Sequence, residues 1–223
     1  MAKTASATEA QKSRSSKSLS LYDVHPGVAM MQKWISELKE KTGRTVEEWV
    51  ALTQKEGPAS GHKARVAWLK KKYKMGNNSA WWIAERAGGK GWEEDSPDAY
   101  LATAKKYVEE QYSGKKEALR PIYDELLEIG KSTANDVKAC PCQTMVPLYR
   151  NHVFAQIKPT TNSRIDLGFA LAKHKGKLPK RLIDTGGLAK KDRITHRIEI
   201  TDVAQIDDEV RKWVKIAYEL DAE

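Results

Sequence analysis

The chain has 223 residues, 40% hydrophobic and 31% charged, enough for two small domains or one large one. Its 39 Lys and Arg against 30 Asp and Glu give a net charge of +9, which favours anionic partners: nucleic acid, phosphorylated ligands or an acidic protein. It has no run of about 18 apolar residues, so no membrane span is expected.

Residues 1–24 read as a disordered tail. The first twenty hold six serines and four basic residues and lack the apolar stretch of a secretory signal. The two cysteines, Cys140 and Cys142, are too close for a structural disulfide, so a reducing cytoplasm is the expected setting.

Four helices are expected over residues 25–92. Met31, Trp34, Ile35 and Leu38 recur at helical spacing in the first, which stops at Gly43. Thr45 and Glu48 form a capping-box start for the second. The third, about 63–74, draws apolar positions from Ala64, Ala67, Trp68 and Leu69, and its crowded lysines suit the negative end of the helix dipole. Gly76 breaks the chain before a fourth helix that opens Asn77-Asn78-Ser79. Six of the seven tryptophans fall between Trp34 and Trp92, bulky enough to gather a small core.

Gly88 to Gly91 and the acidic segment after Trp92 read as a linker. Residues 93–223 are expected to hold two helices, about five strands and a C-terminal helix. Ser96-Pro97 starts one helix, and Pro121 sits in the first turn of the next. From Asp136 the hydrophobic period becomes two, giving strands near 143–149, 152–158, 163–170, 181–184 and 193–200. In the last, Ile194, His196, Ile198 and Ile200 should share one face, and Arg193, Thr195, Arg197 and Glu199 the other. A final helix covers about 207–220. The fold class is therefore α+β: an all-α N-terminal module, then a mixed domain with a mainly antiparallel sheet.

At this level the chain resembles known families. KTGRTVEEWVAL with VAWLKKKYKMGNNSAWW is similar to a small bacterial helical family, domain of unknown function 4287. VPLYRNHVFAQIKP, SRIDLGFAL, DRITHRIEI and WVKIAYE resemble domain of unknown function 5655, often found after it. Together they cover roughly residues 22–221. The helical family usually reads Gly-His-Gly-His-Ala at the break where this chain has Gly76-Asn-Asn-Ser-Ala80, so no role for those histidines carries over. The resemblance implies a two-part α-then-α+β protein and brings no activity or catalytic residues.

The residues themselves suggest several sites. Strand alternation places Arg193 and Arg197 together, with Arg164 and Lys158 beside them and Arg150 at a neighbouring strand end. Converging guanidinium groups suit phosphate or carboxylate, unless Asp166, Asp192 and Glu199 pair with them internally. Lys173 to Arg181 form a basic loop. His196 with Asp192 is the acid–base pair an enzyme would use, but no nucleophile is placed by spacing. The Gly76 break allows a DNA-binding helix-turn-helix or an ordinary helical hairpin. Cys140-Pro-Cys142 could hold a soft metal or be a pair of small strand residues, and Asp184-Thr-Gly186 reads as a glycine turn. The expected function is binding of an anionic ligand, nucleic acid ahead of a small phosphorylated molecule, without a cofactor or metal. The alternatives are a small His/Asp enzyme and a protein-interaction module using the Trp-rich helices.

Overall fold

In the computed structural model, which describes residues 21–59 and 61–222, four helices come first: α1 (Pro26–Thr42), α2 (Val46–Glu56), α3 (His62–Tyr73) and α4 (Asn77–Ala87). Local signals set their ends. Thr45 and Glu48 form the reciprocal capping box, and Gly43 ends α1 in the left-handed region at φ 78°. Leu38, Val46, Trp49, Leu69, Ile83 and Ala84 close a small core between the helices. The third helix differs from its expected pattern. Ala64 and Ala67 are exposed and only Leu69 is buried, because α3 lies on the surface with one narrow stripe inward.

Helix α4 folds back along α3. Lys70 hydrogen-bonds Asn77 beside the turn, and Arg65 near the start of α3 lies against Gly88, just past the end of α4. These contacts pack α3 and α4 against each other as a helical hairpin.

The region read as a linker is structured. Trp92–Glu94 makes a 3-10 turn, and Asp95 beyond it pairs with Arg86. Arg86 is only 1% exposed and lies over the rings of Trp34 (5.3 Å) and Trp92 (5.6 Å). A buried guanidinium needs such partners, since desolvation opposes its charge.

The second half begins with α5 (Pro97–Gln111) and α6 (Arg120–Ser132), with Pro121 in the first turn of α6. The strands are β1 (Lys138–Ala139), β2 (Val146–Tyr149), β3 (Val153–Pro159), β4 (Ile165–Phe169), β5 (Ile183–Asp184) and β6 (His196–Ile200). They form one antiparallel six-stranded sheet in the order β1-β2-β3-β4-β6-β5. Two-residue β1 and the four-residue helix α7 (Gly187–Lys190) carry too little periodicity to be read in advance. Helix α8 (Asp208–Leu220) closes the chain. Val146, Ile157, Leu167 and Ile198 align across the strands on the inner face, where α6 and α8 pack. The approach is close: a Cβ on Gly130 of α6 would lie 2.5 Å from Leu148 Cδ1.

The expected alternation in the last strand holds from His196 to Ile200 and fails before it. Thr195 donates its N–H to Phe169, the residue already opposite His196, so two residues face one and the phase slips. Thr195 is therefore buried, its hydroxyl accepting from Leu171 N–H, while Ile194 covers Gly168 on the outer face.

Residues 1–20 of the expected tail lie outside the described residues. Residues 21–25, in contrast, run as a strap along the second half. Asp23 N–H donates to Ala139, and its carboxylate accepts from Ala139 N–H and pairs with Lys131 at 2.7 Å. Tyr22 is buried and accepts from the Tyr123 hydroxyl at 3.0 Å. His25 caps α1 by accepting from Gly27 N–H, and its Nε2 lies 2.8 Å from the Tyr149 hydroxyl. Val28 also sits in the second core, so α1 starts in one core and ends in the other.

Candidate functional site

The outer sheet face gathers three of the expected cations. Lys158 sits opposite Asp166 in the strand register, and Asp166 opposite Glu199. Arg164 contacts both carboxylates, 2.9 Å to Asp166 and 3.0 Å to Glu199. Arg197 does the same at 3.5 Å and 2.8 Å. The hydrogen bond from Arg197 holds the Glu199 carboxyl below its usual range. The two arginines thus meet as alternation implies, but two carboxylates already occupy them. An anion would have to displace Asp166 and Glu199 to bind there.

Arg193 and Arg150 are elsewhere. Arg193 donates to Val153 O at 2.7 Å and pairs with Asp221, whose side chain is 2% exposed. Asp221 also accepts from His152 N–H at 2.7 Å, and its backbone carbonyl from Asn151. Arg193 is thus a tie between the sheet and the end of α8. Arg150 lies over the Tyr218 ring at 4.2 Å, donates to Tyr218 O and contacts Asp136 at 3.5 Å. In the basic loop, Arg181 is anchored by Asp207 and Glu209, while Lys173, Lys175, Lys177 and Lys180 are exposed.

The His196–Asp192 pair is not assembled. The hydrogen bond of His196 is to the neighbouring Thr195 hydroxyl, and Asp192 is exposed. Asp192 and Arg193 line a shallow cleft of about 250 Å³ that His196 does not reach. The Cys140 thiol is buried and points at Val24 O, and desolvation pushes it up to about 12, away from thiolate chemistry. Asp184 accepts from Gly186 N–H, and Gly186 adopts φ 68°, the geometry of a turn.

The helical hairpin presents a different surface. Lys63, Ala67 and Lys70 recur at spacings of four and three, which puts them on one exposed stripe of α3, and exposed Lys74 follows at its C-cap. Lys71 flanks them, and α3 contains no Asp or Glu. Lys72 is paired with Glu56 and Arg65 is held by the carbonyls of Pro58 and Ala59. Among the described residues, Lys63, Lys70, Lys71 and Lys74 have no carboxylate partner; Lys70 bonds the neutral Asn77. The stripe borders the exposed side of α4, where Asn77, Asn78 and Trp81 follow one another. Trp81 is 51% exposed, unlike Trp34 and Trp82, whose rings meet edge-on at 5.0 Å. The lysines at the end of α3 read in sequence as complements to the helix dipole; the stripe spacing of Lys63, Ala67 and Lys70 was the signal for a surface.

Fold and site together define a two-part protein: a helical module with a lysine-lined hairpin, joined to an α+β domain on an antiparallel sheet. The chain belongs to the family described as Domain of unknown function (DUF5655), whose model matches residues 108–221. The model described as Domain of unknown function (DUF4287) matches residues 30–87, the order that the resemblance implied. No curated protein and no solved structure matches the chain. No helix among the described residues is long and apolar enough to cross a membrane.

Proposed function

We propose that the protein binds nucleic acid through the α3–α4 hairpin. The observation that carries this reading is the row of exposed α3 lysines with no carboxylate partner, against a sheet face whose arginines all have one. A cation without an internal partner gains most from a phosphate, and releases counterions from the polyanion on binding. The net charge of +9 favours the same partner. A small phosphorylated ligand is a poorer fit, because the convergent arginines that would clamp it already hold Asp166 and Glu199. A His196–Asp192 enzyme is disfavoured because the His196 ring bonds the Thr195 hydroxyl and Asp192 is exposed. A cytoplasmic setting agrees with the buried Cys140 thiol.

The test is fluorescence anisotropy with a labelled oligonucleotide over a salt series. Binding should weaken steeply with salt. The triple change Lys63→Glu/Lys70→Glu/Lys74→Glu should lower affinity at least roughly tenfold. It should also flatten the log–log slope by about 2, since each phosphate left without its lysine reduces the slope by about 0.7 on a single strand. Arg164→Ala/Arg197→Ala should leave both unchanged. Equal affinity and slope for the triple variant would refute the reading.

A further inference from the structure

We infer that Trp81 is a stacking platform for an unpaired nucleobase, so that the hairpin prefers single-stranded nucleic acid to duplex. This inference rests on the nucleic-acid reading and specifies its ligand. Trp81 is the most exposed large aromatic side chain among the described residues. It stands in the first turns of α4, beside the lysine stripe of α3. The aromatic rings elsewhere in the helical module are used internally: Trp34 against Trp82, and Trp49 and Trp68 against Tyr73.

Trp81 is also held in place. The His62 ring lies 4.1 Å from it, tilted by 69°, and His62 Nε2 sits 3.2 Å from the Trp81 carbonyl oxygen. A tilted neighbour does not cover an indole face as a parallel ring would, so the ring keeps area for a ligand. Both residues sit on helices, so little ordering remains for binding to impose. An indole flanked by lysines matches the two chemistries of a single strand: π faces for stacking and a phosphate backbone for ion pairing. A duplex offers the phosphates but keeps its base faces stacked inside, so only the lysines could act. An acidic protein would satisfy the lysines equally, but would leave the indole without a flat partner.

The experiment uses the full chain and two labelled probes, a single-stranded oligothymidylate and a hairpin duplex of the same length, with polyglutamate as competitor. The single strand should bind more tightly. Trp81→Ala should weaken single-strand binding by roughly 5- to 100-fold, the range for removal of one stacked base, and leave duplex binding unchanged. Trp81→Phe should retain most of the preference. The thermal midpoint of each variant checks the fold, which a half-exposed side chain should barely affect. Equal losses for both probes, or no preference in the parent protein, would overturn the stacking role while leaving nucleic-acid binding in place. Polyglutamate competing as well as the oligonucleotide would assign the surface to an acidic protein and overturn the inference. No salt-sensitive binding to either probe would overturn the function as well.

Discussion

Removing Arg193 should destabilise the protein and spare its ligand binding. The side chain makes two ties: Nε to Val153 O at 2.7 Å, and a charged contact to Asp221, whose carboxylate is 2% exposed. A hydrogen bond to a charged group contributes about 1.5–3 kcal/mol. The Arg193 side chain is 45% exposed, so water screens the pair and recovers part of that value. Asp221 also keeps its bond from His152 N–H in the variant. The net cost of Arg193→Ala is then about 1–2 kcal/mol. At this chain length that lowers the thermal midpoint by about 2–8 °C. Asp221→Ala should cost more, because it removes the carboxylate from Arg193 and from His152 N–H together. The assay is circular dichroism melting beside the oligonucleotide titration. A stable Arg193→Ala variant that has lost salt-sensitive binding would invert the argument and return the site to the sheet.

Two further predictions concern the buried polar groups. Desolvation by burial lowers the His25 pKa, and Nδ1 of the ring accepts from Gly27 N–H as the helix cap. Its folded pKa lies below the unfolded value of about 6.5, so its contribution is full above that value and is lost as pH falls through the folded one. Urea melts below about pH 6.5 should show stability falling less steeply in His25→Asn, which keeps a capping oxygen but cannot titrate. Separately, Asp95→Ala leaves Arg86 buried between Trp34 and Trp92 without its carboxylate, and should cost about 2–4 kcal/mol by urea denaturation. Arg86→Met in that background should restore part of the loss; further destabilisation would show that the guanidinium contributes through its rings rather than its charge.

The elements with local signals were legible in the sequence. The Thr45–Glu48 box, the Ser96-Pro97 start and the α8 stripe all formed at or within a residue or two of their expected places. The sheet order was not written locally, and the phase of the last strand was hidden by a bulge at Thr195 that no alternation reveals. The internal partners of Arg164 and Arg197, Asp166 and Glu199, were visible as candidates, but whether they or a ligand held the arginines depended on cross-strand register. Arg193 has an internal partner for a long-range reason. Its partner Asp221 is 28 residues away and comes alongside only when α8 packs on the sheet.

The strap at residues 21–25 changes how the chain is partitioned. Tyr22, Asp23 and His25 bond to residues more than a hundred positions further on, while α2 to α4 lie between. The α+β domain is thus discontinuous in sequence, and the helical module is an insertion whose two chain ends are both anchored. A bead on one linker swivels about a single connection; here there are two, one of them held to the α+β domain by the Tyr22–Tyr123 and Asp23–Lys131 bonds. Closing so long a loop costs entropy before its contacts form, so the strap should dock late in folding, after the helices it encloses. The hairpin that carries the lysines and Trp81 is therefore presented from a mount fixed at two points.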